Sequence, residues 1–158
     1  MTEFQLRPVT ADNLRELVHM EMRPGQERYV APVVHSIAEA YVNPTAWPRA
    51  IYSGDSVVGF VMANFDPDNE IKAFRCGIWR LNIAADSQGL GAGYFAVEEV
   101  AREARSRGCE EMTVMWVPGV NGPEGFYLRC GFVPTGEILF DEIVGVRSTQ
   151  PRDMPHGR

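Results

Sequence analysis

Three glycines at alternate positions, in the stretch QGLGAG at 88–93, constrain this chain more than any other feature. Glycine costs roughly 0.5–1 kcal/mol relative to alanine in regular structure, so a cluster of three needs a reason. The flanking sequence supplies a context. Upstream, residues 73–84 carry the apolar pattern of a strand. Downstream, Leu90, Tyr94, Val97, Ala101 and Ala104 recur at helical spacing. Glu98–Arg102 and Glu103–Arg107 stand as i,i+4 pairs on the outer side, and Gly108 ends the helix. MTVMWV (112–117) is then a continuous apolar run, the mark of a buried parallel strand. Residues 73–117 therefore read as strand, glycine loop, helix, strand, a right-handed crossover unit.

The first strand of that unit changes phase. Phe74, Cys76 and Ile78 alternate in one register, and Trp79, Leu81 and Ile83 in the other. A period-2 pattern that slips by one residue signals a β-bulge, with Gly77 nearby to ease it. A strand buried on both faces would give the same letters.

Around this unit the chain reads as one domain, 1–147, with a tail at 148–158 that has little to bury and is expected to be disordered. FQLRPV (4–9) alternates as a first strand, and 10–20 is helical, with Thr10 as cap. A second helical stretch covers 26–42, stepped at Pro32. Two strands flank the turn at Gly54-Asp55, and DPDNE (66–70) is a solvated turn. GPEGFYLRC (122–130) is a short helix, and FVPTGEIL and EIVGVR close the sheet as an antiparallel pair.

Composition narrows the function classes. A net charge of −6 argues against a non-specific nucleic-acid binder and suits a cationic substrate. No apolar stretch approaches the ~20 residues of a membrane-spanning helix. Charged residues at Glu3, Arg7, Asp12, Arg15 and Glu16 do not fit a signal peptide. Cys76, Cys109 and Cys130 form no CxxC pair and read as free thiols in a reducing cytoplasm. His19, His35 and His156 share no ligand spacing, so no metal site is expected.

A glycine-rich turn that opens a helix presents bare backbone N–H groups and the positive end of the helix dipole to one point. That arrangement suits a phosphate. GxGxxG fails because position 94 is Tyr94, and no GxxxxGK[ST] is present. A purely structural tight turn stays open as an alternative.

The spacing Gln88-x-x-Gly91-x-Gly93 after WRLNIAADS resembles the pyrophosphate loop of Gcn5-related N-acetyltransferases, the GNAT superfamily. FYLRCGF (126–132) resembles that family's second signature. SIAEAYVNPTAWPRAIYSGDSVVGFVM (36–62), VPGVNGPEGFY (117–127) and FVPTGE (132–137) resemble the bacterial diamine and polyamine acetyltransferase branch. The likeness covers roughly 4–147. It departs at Leu90, Ala92 and Tyr94, where relatives place basic or bulkier residues.

The resemblance implies an α/β fold of the α+β kind, with a mixed, mostly antiparallel sheet of about seven strands, about four helices and a splayed parallel pair. It implies acetyl-CoA as cofactor and a small amine as substrate. Coenzyme A would be held by Leu81, Asn82 and Ile83, by Gln88, Gly89, Leu90, Gly91, Ala92, Gly93 and Tyr94, and by Asn121 and Phe126. Tyr127 would donate a proton to the departing sulfur. Glu27 and Glu142 would bind the amine or relay its proton, Glu27 being the candidate base, and Trp47 would line the amine pocket or pack in the core. Neither nucleic acid nor membrane enters as a partner, and a homodimer is left open because such enzymes often pair. Another amine acceptor, or a non-catalytic acyl-CoA sensor, would use the same loop.

Overall fold

The computed structural model describes residues 3–152. Among them, seven strands form one sheet in the order β1 (Phe4–Pro8), β2 (Ala46–Ser53), β3 (Ser56–Phe65), β4 (Cys76–Ile83), β5 (Glu111–Trp116), β7 (Glu142–Ser148) and β6 (Val133–Leu139). Every neighbouring pair is antiparallel except β4 with β5. Four α-helices accompany the sheet: α1 (Leu14–His19), α2 (Val33–Val42), α3 (Ala92–Ser106) and α4 (Glu124–Arg129). The mixed sheet, four helices and one splayed parallel pair match the expected fold class.

Alternation along β3 builds the two layers. Phe60 and Met62 join Leu17 of α1 and Val33 of α2 in one core cluster. Val61, Ala63 and Phe65 face the other way, onto Ala96, Val97, Val100 and Ala104 of α3. The sheet is thus buried on both sides where α3 crosses it. α3 earns its place through small residues: Ala92, Ala96, Ala101 and Ala104 are all buried, letting the helix lie close.

Several local readings need correction. Helix α1 starts after Thr10, with Asn13 as N-cap; Asn13 Oδ1 accepts from the Thr10 N–H at 2.9 Å and its Nδ2 donates to the Pro8 carbonyl at 3.0 Å. The stretch 26–42 splits into a 3-10 turn at Gln26–Arg28 and α2, with Pro32 as the N-cap of α2. On α3, Glu103 and Arg107 pair at 2.9 Å as expected, but Glu98 turns inward to accept from Arg147 Nη1 at 2.6 Å. Arg102 pairs with Glu99 instead.

The tail reading is also corrected in part. Ser148 ends β7, and Thr149 is fully buried, its hydroxyl donating to the Cys109 carbonyl at 2.8 Å. Arg152 N–H reaches Glu98 Oε1 at 3.3 Å. Residues 148–152 have partners because β7 lies between β5 and β6, so its end emerges beside the α3–β5 joint. Residues 153–158, with His156, lie outside the described residues.

Candidate active site

The parallel pair is the source of the site. β4 and β5 pair through Gly77 with Thr113 and Ile78 with Val114 and then diverge. At the joined end the backbones are so close that a Cβ on Gly77 would lie 2.3 Å from the Thr113 carbonyl oxygen. Gly77 is therefore required by strand approach rather than by the bulge. The bulge itself lies at Trp79: Met62 pairs with Arg80 and Ala63 with Ile78, leaving Trp79 as the extra residue. Cys76 and Ile78 before it and Leu81 and Ile83 after it all face the α3 side, which is why the sequence slips phase. Trp79 turns to the opposite cluster.

Beyond the divergence a cleft of about 1000 Å³ opens. Leu81 and Ile83 of β4, residues of the turn between Gln88 and Tyr94, and Phe126 and Tyr127 of α4 line it. The loop amides are arranged as the glycines suggest. Gly89 and Gly91 have φ of +80° and +99°, and Gly91 caps α3. A Cβ at Gly89 would meet nothing within 4 Å, so the approach is open. The first intrahelical bond runs from the Phe95 N–H to the Gly91 carbonyl, so the amides of Ala92 and Gly93 precede the helical ladder. Gly93 has a different reason: a Cβ there would lie 3.0 Å from Phe126 Cζ, so it lets α4 pack on the helix start.

Tyr127 sits at the cleft floor, only 7% exposed, stacked on Trp116 at 5.7 Å between centroids and edge-on to Phe132. Trp116 is itself fixed by its Nε1–H donating to Glu124 Oε2 at 2.9 Å. Burial, then the nearby Cys130 thiol and Glu142, push the Tyr127 phenol well above its ordinary range. It stays protonated at neutral pH. Cys130 also lines the cleft, and burial pushes its thiol up to about 12, so the reactive thiolate is suppressed.

Charged and aromatic residues also line the cleft. Glu27, Arg28 and Tyr29 come from the 3-10 turn and its exit, Trp79 and Arg80 from the bulge, and Glu142 from the start of β7. Tyr29 ties two of these walls together: its hydroxyl donates to the Val120 carbonyl at 2.6 Å. A Cβ on Gly119 would lie 2.6 Å from the Tyr29 hydroxyl, and one on Gly122 would lie 3.0 Å from its ring, so both glycines accommodate it. Glu142 follows a two-residue turn in which Phe140 and Asp141 hold φ of +51° and +65°. Left-handed backbone at a bulky residue costs of order 1–2 kcal/mol, and Phe140 stacks on Phe74 at 6.1 Å. Partial burial pushes the Glu142 carboxyl up, opposed by Arg80.

A splayed parallel pair beside a bulge, a glycine turn opening a helix, and a buried tyrosine on the following short helix form one connected arrangement. Residues 12–132 match the model of the acetyltransferase (GNAT) family. The chain belongs to the GNAT acetyltransferase family. It is an N-acetyltransferase that uses acetyl-CoA. Among curated proteins, none matches the chain by sequence.

Solved GNAT structures share the fold at low identity. An aminoglycoside 6'-N-acetyltransferase complexed with coenzyme A is 17% identical, with 95% of this chain and 99% of that one covered at a TM-score of 0.67. The ribosomal-protein-S18-alanine N-acetyltransferase of Escherichia coli is 14% identical, covering 96% and 97% at 0.66. The spermidine N-acetyltransferase of Vibrio cholerae, in complex with CoA and spermine, is also 14% identical, covering 92% and 95% at 0.66.

Within this GNAT chain the residues picked from sequence divide. Leu81, Ile83, Gln88, Gly89, Gly91, Ala92, Gly93, Tyr94, Asn121, Phe126, Tyr127, Glu27 and Glu142 all line the cleft. Asn121 does so from a left-handed turn at φ +62°, so its turn role and its cleft position coexist. Gln88 is a clamp: its Nε2–H donates to the Ile83 carbonyl at 2.9 Å and to Gln26 Oε1 at 2.7 Å. That bond fixes the glycine turn to both β4 and the 3-10 segment.

Three residues do not line the cleft. Asn82 is 1% exposed and faces away, donating to the Ala31 carbonyl at 3.0 Å; it holds the approach to α2. Leu90 is 60% exposed at the tip of the turn. Trp47 packs edge-on against Phe65 with the Arg49 guanidinium 4.0 Å from its ring centre, on the α3 side of β2, which is its core-packing alternative. The sequence reading missed Arg80, Tyr29, Arg28 and Trp116. The slip beside Trp79 was the available signal for Arg80, because a bulge re-aims the side chains next to it. Tyr29 carries no comparable signal.

Proposed function

We propose that this acetyltransferase moves the acetyl group of acetyl-CoA to a primary amine of a small cationic acceptor, a diamine or polyamine such as spermidine or spermine, by direct attack in a ternary complex. One observation carries the reading: two carboxylate residues, Glu27 and Glu142, line the same cleft as Tyr29 and Trp79. Carboxylates attract the ammonium groups of such an acceptor, and aromatic faces favour both cations and alkyl chains.

The bound thioester supplies an acyl carbon open to attack and a sulfur that leaves as thiolate. The amides of Ala92 and Gly93 and the dipole of α3 suit the diphosphate, with no side-chain cation needed. The Leu81 backbone N–H is our choice to polarise the thioester carbonyl, a fixed dipole of a kind worth several kcal/mol in acyl transfer. An alkyl ammonium with a pKa near 10 must lose a proton before it attacks. Glu142 is suited to take it, because burial makes its carboxylate more basic than an exposed one. Glu27 is the exposed alternative, reaching the proton through water. Tyr127 keeps its proton until charge builds on the sulfur and then hydrogen-bonds to and protonates it, and the second proton that the nitrogen sheds as the amide forms restores the phenol.

Coenzyme A release measured across an amine panel tests this. Spermidine, spermine and shorter diamines should turn over well above background. If an aminoglycoside, an amino acid or a peptide N-terminus is the better acceptor, the polyamine assignment fails; if no amine is used, an acyl-CoA sensor replaces it.

A further inference from the structure

Two stretches of chain that line the cleft are joined across it by one side chain. The first, 26–31, is anchored to the β4 side at both ends. Gln26 and Gln88 exchange amide hydrogen bonds of 3.0 and 2.7 Å, and Gln88 Nε2–H also donates to the Ile83 carbonyl at 2.9 Å. At the other end, Asn82 Nδ2–H donates to the Ala31 carbonyl at 3.0 Å. The second stretch is the turn 117–123 between β5 and α4. Tyr29 connects the two, its hydroxyl donating to the Val120 carbonyl at 2.6 Å. This joint lies at the surface: Val120 is 85% exposed, whereas Tyr127 on the cleft floor is 7% exposed. It bridges the mouth above the floor. We propose that Tyr29 is a positioning residue, a fixed post that latches the 117–123 turn across the mouth of the cleft, and that this latch opens whenever coenzyme A enters or leaves.

The two stretches are held unequally, and that says which one moves. Segment 26–31 is tied at both ends to a central strand or to the turn beside it. The 117–123 turn carries the Gly122 N–H to Gly119 carbonyl bond at 3.2 Å, and its Asn121 sits at φ +62°. Two glycines give it a soft backbone. They also shape it to the post. At Gly119 a Cβ would lie 2.6 Å from the Tyr29 hydroxyl, and at Gly122 one would lie 3.0 Å from the ring. A larger side chain at either position would push the turn off Tyr29. The joint is weak enough to cycle: a neutral hydrogen bond is worth about a fivefold change in an opening equilibrium. Gating of this kind sets ligand exchange in many enzymes. The inference needs only the cofactor, and holds whichever amine is the acceptor.

The test is stopped-flow binding of coenzyme A to the parent, Tyr29→Phe and Gly122→Ala proteins, with amide hydrogen exchange of 117–123 in the CoA-free protein as a second readout. Tyr29→Phe keeps the ring and removes the donor. Its association and dissociation rates should both rise about fivefold, leaving the dissociation constant unchanged, and the 117–123 amides should exchange faster. Gly122→Ala keeps the hydroxyl but crowds the ring, and should move both rates the same way. If that variant does not fold, Tyr29→Phe, which removes a single oxygen, decides alone. A faster dissociation with association unchanged means that the hydroxyl serves the ligand rather than the turn, and overturns the proposal. Unchanged rates in Tyr29→Phe also overturn it, because a bond that bridges the mouth without slowing exchange is merely structural.

Discussion

The groups assigned to the cofactor and those assigned to the acceptor are built from different materials. The set assigned to the cofactor is mostly backbone: strand edges at Leu81 and Ile83, the left-handed turn at Gly89 and Gly91, and the opening amides of α3. The set assigned to the acceptor is mostly side chain: Glu27, Tyr29, Arg80 and Glu142, delivered by three separate pieces of chain. Backbone sites depend on turn geometry and tolerate changes of side chain. Side-chain sites depend on partners such as Glu39, which pairs with Arg80, and change specificity by single substitutions.

Three variants break or sharpen that contrast. Tyr127→Phe should lower kcat by about 10²-fold, the lower range of general acid catalysis, with CoA affinity unchanged by calorimetry. A matching loss of CoA affinity would mean that Tyr127 acts in holding the cofactor rather than in proton transfer. Gly91→Ala should weaken CoA about tenfold, because an alanine held at φ +99° costs of order 1–2 kcal/mol and the turn must shift to relieve it. Undiminished binding there would show that the turn geometry does not hold the diphosphate. Leu90→Lys should strengthen CoA by no more than about fivefold, since an exposed cation contributes under ~1 kcal/mol. A gain of 10²-fold would mean that side-chain charge dominates this loop, and the contrast would collapse.

The same contrast explains what the sequence made legible. Glycine spacing, helical periodicity and the phase slip at Trp79 are local backbone signals, so the β4–α3–β5 unit and most of its cleft-facing residues could be read directly. Tyr127 was reached because its short helix carries a family signature. Arg80 with Glu39 and Tyr29 with Val120 were out of reach, because 41 and 91 residues separate the partners. Asn82 and Trp47 lie away from the cleft for a related reason: the face a strand residue takes is set by the bulge and by packing across the sheet. Thr149 was misread because its burial depends on β7 inserting between β5 and β6.

The short ladder joining β4 to β5 has a thermodynamic corollary. Two residue pairs leave the middle of a seven-stranded sheet unfinished, and an extended ligand arm lying in the gap would knit its two halves together. Ligand occupancy would then be tied to the cohesion of the whole domain by mass action, each tenfold excess over the dissociation constant adding about 1.4 kcal/mol against unfolding. On that account the protein is sturdiest when its cell is rich in the nucleotide it consumes.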